Sequence, residues 1–129
     1  MKFLGIDYGI RKTGLAISNE EGTIAFPLEV VKNSRKLPSV ITDLCREKGV
    51  SVIVLGESVD TADRSNPVME NIDQFKKKLE QDTRLPVHLQ PEQFTSREAE
   101  QVQGKTARND ASAAALILQD FLDSQNIDT

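Results

Sequence analysis

An aspartate follows the first apolar segment of the chain at a point where the backbone must reverse. Lys2–Ile6 forms a short strand-like run, Asp7 follows it, and Gly9 and Gly14 give the backbone freedom around the reversal. The basic pair Arg11–Lys12 lies in the same turn. A carboxylate at the end of a strand can bind a divalent metal ion, and two adjacent cations can bind a phosphate group.

Three further acidic residues occupy comparable positions. Glu57 follows the fourth apolar strand, Glu92 follows the fifth, and Asp110 lies in the first turn of the last helix. The carboxyl ends of parallel strands meet at one edge of an α/β sheet, and the positive end of a helix favours a carboxylate. The sequence therefore predicts that these three side chains meet Asp7 at one edge.

The predicted acidic cluster has the ligand chemistry of a magnesium or manganese site. Ligand sets made only of oxygen suit Mg²⁺ or Mn²⁺. Two such ions about 4 Å apart can activate water and stabilise the leaving oxygen in phosphodiester hydrolysis. Each acid also has a purely structural interpretation, because acids after strands form turns and Asp is common at helix starts. The metal hypothesis therefore depends on the convergence of the side chains.

Basic residues near the predicted edge are candidate ligands for nucleic-acid phosphates. The pair Arg11–Lys12 can bind phosphate or simply be exposed in its turn. Arg97, Lys105 and Arg108 lie near the proposed edge, although Arg97 can equally belong to a solvated helix surface. The tract Lys76–Lys78 is more typical of the solvated side of a helix than of a nucleic-acid site.

The apolar pattern predicts the elements that position these residues. Strands are predicted at 2–6, 14–18, 23–31, 50–55 and 86–89, and helices at 37–48, 67–79, 95–103 and from 110 onwards. The first three strands can pair antiparallel, whereas the later strands need helical crossovers and therefore run parallel. We predict one α/β domain over residues 1–129, with a five-stranded mixed sheet flanked by helices.

Composition restricts the class of protein. The 129 residues suit one domain, and a net charge of -4 gives no global basic field, so nucleic-acid binding would require local basic patches. Cys45 is the only cysteine, which excludes an internal disulfide and a multi-cysteine zinc site. We expect no signal peptide, because the first residues read as a strand, and no run approaches the roughly 20 apolar residues of a membrane span. We expect a cytoplasmic protein without a membrane partner.

The two ends of the chain together resemble a known family. Leu4–Gly9 and Gly14–Ser18 are similar to the first motif of the YqgF/RuvX family, and Asp110–Gln119 is close to its last motif. Ala25–Leu28 and Val54–Gly56 resemble strands between them. This family of bacterial RNase H-like proteins is described both as Holliday junction resolvases and as nucleases that process pre-16S rRNA. The resemblance covers nearly the whole chain and implies an RNase H-like fold.

The resemblance implies a set of metal-binding and catalytic acids. The family's metal ligands fall on Asp7, Glu92 and Asp110, which are the positions reached above from the residues. The chain departs from the family around Glu92, where the family's Asp-Glu-Arg is reduced to a glutamate between proline and glutamine. Glu57 is a candidate fourth acid, because related enzymes place a carboxylate near the end of that strand.

The hypothesis from sequence is a metal-dependent nuclease that uses Mg²⁺ or Mn²⁺ and acts on structured nucleic acid. By resemblance, precursor 16S rRNA is the first choice of substrate and branched DNA the second. One rival is an RNase H-like module that binds RNA without cutting it, which the loss of Asp-Glu-Arg favours. Another is a nucleotide-binding fragment of the sugar-kinase type, since those kinases also open with Asp-x-Gly. The sequence leaves monomer and homodimer open.

Overall fold

The computed structural model describes residues 1–9, 11–57, 67–91 and 110–127. The strands are β1 Lys2–Tyr8, β2 Lys12–Ser18, β3 Ala25–Lys32, β4 Val50–Glu57 and β5 Val87–Pro91. The helices in these ranges are α1 Leu37–Lys48, α2 Pro67–Thr83 and α3 Asp110–Ile127. The helix predicted to begin at Thr95 lies outside the described residues. Within them, no helix combines the length and the apolar character needed to cross a membrane.

The five strands form one mixed sheet in the order β3-β2-β1-β4-β5. β1 pairs antiparallel with β2, and β2 pairs antiparallel with β3. β1 pairs parallel with β4, and β4 pairs parallel with β5. The predicted topology of three antiparallel strands followed by two parallel ones is confirmed, and it makes β1 the central strand.

β3 is an edge strand of the sheet, a position that accommodates its proline. Pro27 has no N–H to donate to a sheet ladder, and edge positions tolerate that loss. The register between β2 and β3 shifts between Leu15 and Ala16, so that Leu15 opposes Glu29 while Ala16 opposes Pro27. The hairpin before β3 turns through Gly22, which has a positive φ of 71°.

Helices α1 and α2 cover one face of the sheet. Their buried residues recur at helical spacing and pack on the side chains of β1, β2 and β4 that point to this face. Leu37, Ile41 and Cys45 come from α1, and Ile72, Phe75 and Leu79 come from α2. α1 ends where Gly49 adopts φ 72° and its N–H donates to the carbonyl of Cys45. This face is a continuous apolar core.

Helix α3 covers the other face and approaches the central strand closely. A Cβ atom added at Gly5 would lie 2.7 Å from Leu118 Cβ and 3.1 Å from the carbonyl oxygen of Ala114. The helix is therefore seated where β1 has no side chain. Gln119 ties the helix to β3, because the Gln119 Oε1 atom accepts a hydrogen bond from the Ala25 N–H at 2.9 Å.

Burial makes Cys45 an unreactive thiol. The side chain is 4 % exposed, and desolvation raises its pKa to about 11. The thiolate is the reactive species, so at pH 8 only about 0.1 % of the native thiol is reactive, against roughly a tenth or more of an exposed one. We expect native protein to react with a disulfide reagent at least ~100-fold more slowly than protein unfolded in guanidinium. Equal rates in both states would show that α1 does not bury this residue.

Candidate functional site

Asp7 lies near the end of the central strand, on the face that α3 covers. Phe3 belongs to the apolar cluster on the α3 side, and a side chain at Gly5 would meet Leu118. Successive side chains of a strand alternate between faces, so Asp7 is the next β1 residue to point to the α3 side. Its side chain is half-buried. Asp7, the first predicted ligand, therefore lies at the carboxyl end of the central strand, where the sequence predicts a site.

Both sheet neighbours of Asp7 are glycines. Asp7 pairs with Gly14 on β2 and with Gly56 on β4. No side chain of an adjacent strand therefore stands directly beside the carboxylate on this face. At Gly56 the space is taken by α3, since a Cβ atom there would lie 2.5 Å from Ile117 Cδ1. The β4 position beside the aspartate is thus Gly56 and not Glu57.

Helix α3 begins at the level of Asp7 and runs back along β1. The Phe121 ring lies 5.9 Å from the Phe3 ring near the start of β1, while Ala114 lies at the level of Gly5. Four residues of a helix advance about 6 Å along its axis, and two residues of a strand advance about 7 Å. The step from Ala114 back to Asp110 is therefore about as long as the step from Gly5 to Asp7. The first residue of α3, which is Asp110, is therefore carried to the same edge as Asp7.

The other predicted acids are described only in part. Glu57 ends β4 and Asp110 begins α3, but their side chains lie outside the described part of the chain. Glu92 lies outside the described residues altogether, directly after the end of β5. Among the side chains that are described, no group of three or more His, Cys, Asp or Glu residues could hold a metal ion. The convergence of the four acids stays a prediction.

The turn after β1 is tight and carries the basic pair. The Gly9 N–H donates to the Lys12 carbonyl at 3.1 Å, and a Cβ atom at Gly9 would overlap that oxygen. Only glycine fits this close approach of the backbone. Arg11 lies in this turn and Lys12 begins β2, and both side chains are exposed. They remain candidates for binding phosphate, whereas Arg97, Lys105 and Arg108 lie outside the described residues.

Asn33 holds this turn from the end of β3. Its Nδ2 donates to the Gly9 carbonyl at 2.7 Å, and its backbone N–H donates to the Arg11 carbonyl at 2.9 Å. The hydroxyl of buried Thr13 donates to Asn33 Oδ1 at 2.6 Å. Sequence reasoning did not find this role, because an asparagine after a strand is typical of any turn. The burial of Thr13, which requires a hydrogen-bond partner, is known only from the structure.

The half-buried Tyr8 side chain packs against helix α2. Its ring stacks on Phe75 of α2 with centroids 4.3 Å apart and planes inclined by 14°. Burial raises the pKa of the Tyr8 hydroxyl. The residue after Asp7 is therefore anchored on the α2 side, which limits movement of the aspartate.

The lysine tract of α2 behaves as the solvated side of a helix. Lys76 forms an ion pair with Glu80 at 2.9 Å, and Lys78 forms one with Asp82 at 3.6 Å. Both pairs have the i, i+4 spacing typical of a helix surface. Lys77 is exposed. This confirms the interpretation of the tract as helix surface.

Comparison with known proteins gives the family. A family model described as the RuvX Holliday junction resolvase matches residues 1–124. The chain belongs to the RuvX family. A candidate pre-16S rRNA nuclease of Dictyoglomus turgidum is 34 % identical over all of this chain and 99 % of its own length. One of Opitutus terrae, named in the same way, is 35 % identical over 97 % of this chain and 93 % of its own length. The resemblance inferred from sequence is confirmed.

Solved structures give the fold of this family member. RuvC of Thermus thermophilus, bound to a Holliday junction substrate, has a TM-score of 0.62 over 97 % of this chain and 95 % of its own, at 16 % identity. The fowlpox virus Holliday junction resolvase has a TM-score of 0.60 over 97 % and 99 %, at 17 % identity. The predicted RNase H-like architecture is therefore confirmed.

In this RuvX family member, we expect Asn33→Ala to loosen the turn beside Asp7. The substitution leaves the buried Thr13 hydroxyl and the Gly9 carbonyl without their partner, which costs about 1–3 kcal/mol. Urea unfolding measures this loss. Asn33→Asp separates the two bonds: it keeps an acceptor for Thr13 but sets a carboxylate oxygen against the Gly9 carbonyl oxygen, so it should not restore wild-type stability. Unchanged stability in Asn33→Ala would contradict the role given to the network.

Proposed function

We propose that this chain is a metal-dependent nuclease that hydrolyses phosphodiester bonds in structured nucleic acid. It acts as a single cytoplasmic domain over residues 1–129, as a monomer or a homodimer. Precursor 16S rRNA is the proposed substrate. Asp7, Glu92 and Asp110 are the proposed catalytic acids and metal ligands, and Glu57 is the proposed fourth acid.

The observation that carries this proposal is the place of Asp7. It ends the buried part of the central strand, between two glycines, on the face where α3 begins with another aspartate. An acid that served only as a turn former would not need to point to the covered face of the sheet. The arrangement instead supports two acids from distant parts of the sequence acting at one edge.

The donor chemistry around Asp7 fits Mg²⁺ or Mn²⁺. Carboxylate oxygens are hard ligands, which these ions prefer. The softer candidate ligands lie elsewhere: Cys45 is buried on the opposite face, and the His88 ring lies 5.5 Å from Phe121, on the part of α3 remote from its start. Asp7, Glu92 and Asp110 would hold the ion. Once bound, it would lower the pKa of a water molecule and offset negative charge on the phosphate oxygens.

The chain's own residues orient the substrate. Arg11 and Lys12 are exposed in the turn that follows Asp7, where they can bind a phosphate next to the scissile bond. Arg97, Lys105 and Arg108 are proposed to bind the backbone on the side of β5 and the start of α3. The Asn33 network holds the backbone that connects the aspartate to the first pair.

The relatives support RNA as the first substrate and DNA as the second. Relatives that the chain matches over nearly its whole length are named for pre-16S rRNA. The family description names the Holliday junction, which is branched DNA. We therefore propose processing of precursor rRNA at its 5′ end, with resolution of branched DNA as the second candidate function.

A cleavage assay with both substrates tests the proposal. A labelled precursor 16S rRNA fragment and a labelled four-way DNA junction are incubated with purified protein in Mg²⁺, in Mn²⁺ and in EDTA. We expect cleavage of the RNA with either ion and none in EDTA. Preferential cleavage of the junction would select the second function. Tight RNA binding without cleavage under any of these conditions would support the rival hypothesis, an RNase H-like module that binds RNA without cutting it.

A further inference from the structure

We propose that the phosphate-binding surface around Arg11 and Lys12 extends onto the end of β3 and the start of α1. The basic patch consists of Arg11, Lys12, Lys32, Arg35 and Lys36. It binds the phosphate backbone of nucleic acid that flanks the cleavage position on the β3 side. The inference deepens the proposed function and rests on it for the identity of the substrate.

The sheet register brings two lysines of the patch together. Lys12 on β2 pairs directly with Lys32 on β3, and both are exposed. Directly opposed residues on antiparallel strands point to the same face. Lys12 lies two residues from Gly14, the β2 partner of Asp7, so alternation puts both lysines on the face of the aspartate.

The connection from β3 to α1 adds two more cations. The Asn33 N–H donates to the Arg11 carbonyl at 2.9 Å, which fixes this connection against the turn after β1. Arg35 and Lys36 follow within three residues of Asn33, and α1 starts at Leu37. Both cations are exposed. Since consecutive Cα atoms are about 3.8 Å apart, the patch spans only a few phosphate spacings.

No acid interrupts the two segments that meet here. Residues 8–19 and 30–42 contain neither Asp nor Glu, yet they hold five of the chain's 16 lysines and arginines. Within the ranges that the structure describes, none of the five forms an ion pair with a carboxylate. In a chain of net charge -4, this is the kind of local basic patch that nucleic-acid binding requires.

Without a bound polyanion, the charges of the patch destabilise the folded protein. Lys12 and Lys32 are directly opposed on neighbouring strands, and like charges in this arrangement destabilise a sheet. The positive end of a helix favours acids, yet α1 has Lys36 as its N-cap, without a side-chain cap and without an acid in its first turn. Sequences break such local rules mainly at functional sites. A bound polyanion would relieve both repulsions.

The test compares two triple variants with the same change in charge. K32Q/R35Q/K36Q removes three patch cations, and R46Q/K77Q/K78Q removes one arginine and two lysines from exposed sites on α1 and α2. Binding of a fluorescein-labelled RNA hairpin with a single-stranded arm, and of DNA of the same sequence, is measured by anisotropy in EDTA. Salt concentration is varied to obtain the slope of log K against log[salt].

We expect the patch variant to bind RNA at least ~10-fold more weakly than wild type and to reduce the salt slope by about 2, which corresponds to three lost phosphate contacts. The control variant is expected to bind within ~2-fold of wild type with an unchanged slope. The thermal midpoint of the patch variant should equal or exceed that of wild type, because repulsion at the start of α1 is removed. Equal weakening in both variants would overturn the proposal, since only net charge would then matter.

The binding assay separates this inference from the proposed nuclease activity. Cleavage by wild type together with unchanged binding by the patch variant would reject the patch and leave the nuclease standing. Patch-dependent binding without cleavage by wild type would reject the nuclease and retain the patch. The ratio of RNA to DNA affinity identifies which backbone the surface serves, and weakening with either probe supports the phosphate assignment.

Discussion

Asp7→Asn should reduce metal-dependent cleavage by at least ~100-fold while the protein stays folded. The amide has the shape of the carboxylate but carries no charge, so a divalent ion loses a ligand that also neutralises it. Loss of a single electrostatic group at the reacting centre costs about 10²–10³ in rate. Initial rates with the precursor rRNA fragment in Mn²⁺ measure the effect, and urea unfolding shows whether the fold is retained.

Asp73→Asn is the matched control for this substitution. Asp73 is exposed on α2, on the opposite side of the sheet, and its replacement changes the net charge by the same amount. We expect its activity to remain within ~2-fold of wild type. RNA affinity of Asp7→Asn in EDTA should equal or exceed that of wild type, because one negative charge near the phosphate is gone. Equal cleavage by Asp7→Asn and wild type would remove this edge as the catalytic site.

The companion acids should divide into two groups. Glu92→Gln and Asp110→Asn are expected to match Asp7→Asn in their effect, since all three are proposed to share one ion. Glu57→Gln is expected to have a smaller effect, because the β4 position beside Asp7 is Gly56. A loss in Glu57→Gln as large as in Asp7→Asn would assign Glu57 to the first ligand set.

Gly5→Ala should be among the most destabilising single-methyl changes in the protein. The new Cβ would lie 2.7 Å from Leu118 Cβ and 3.1 Å from the Ala114 carbonyl oxygen, and neither atom is at the end of a flexible side chain. Helix α3 must therefore move away from β1. Overpacking of this kind costs about 1–3 kcal/mol or more, which outweighs the roughly 0.5–1 kcal/mol that Ala gains over Gly in a strand. Urea unfolding gives the change in free energy.

Two other glycines calibrate that result. The three atoms nearest to a Cβ added at Gly56 all belong to the Ile117 side chain, the closest being Cδ1 at 2.5 Å. A side chain can adjust more readily than a backbone carbonyl, so we expect a smaller loss than for Gly5→Ala. Gly49→Ala meets nothing within 4 Å and should cost only the roughly 1 kcal/mol of placing an L-residue at φ 72°. The expected order of destabilisation is Gly5, Gly56, Gly49. If Gly5→Ala were the mildest, α3 would not be seated on β1 as described.

The Gly5 result also bears on activity. α3 begins with Asp110, so a shift of the helix away from β1 also shifts the start of the helix relative to Asp7. Cleavage by Gly5→Ala should therefore fall by more than its folded fraction explains. Activity that simply follows the folded fraction would indicate that α3 does not position a catalytic group.

The sequence by itself determined the elements and their order, because those depend on local patterns. Alternating or continuous apolar residues marked the strands, and helical spacing marked α1 and α2. The mixed topology followed from the lengths of the connections. The local position of Asp7 at the end of the first strand could also be predicted. The motifs at the two ends of the chain predicted the family, which the match to the family model confirmed.

Only the tertiary structure decided what lies beside what. The register that puts Gly14 and Gly56 on either side of Asp7, the seating of α3 on Gly5, and the Asn33 bridge all join residues far apart in sequence. Local spacing carries no information about such pairs, because they are set by how strands align and how helices pack. The same reason explains the basic patch: the sequence singles out Lys12 but not Lys32, and the two lysines become one surface only when β2 and β3 pair.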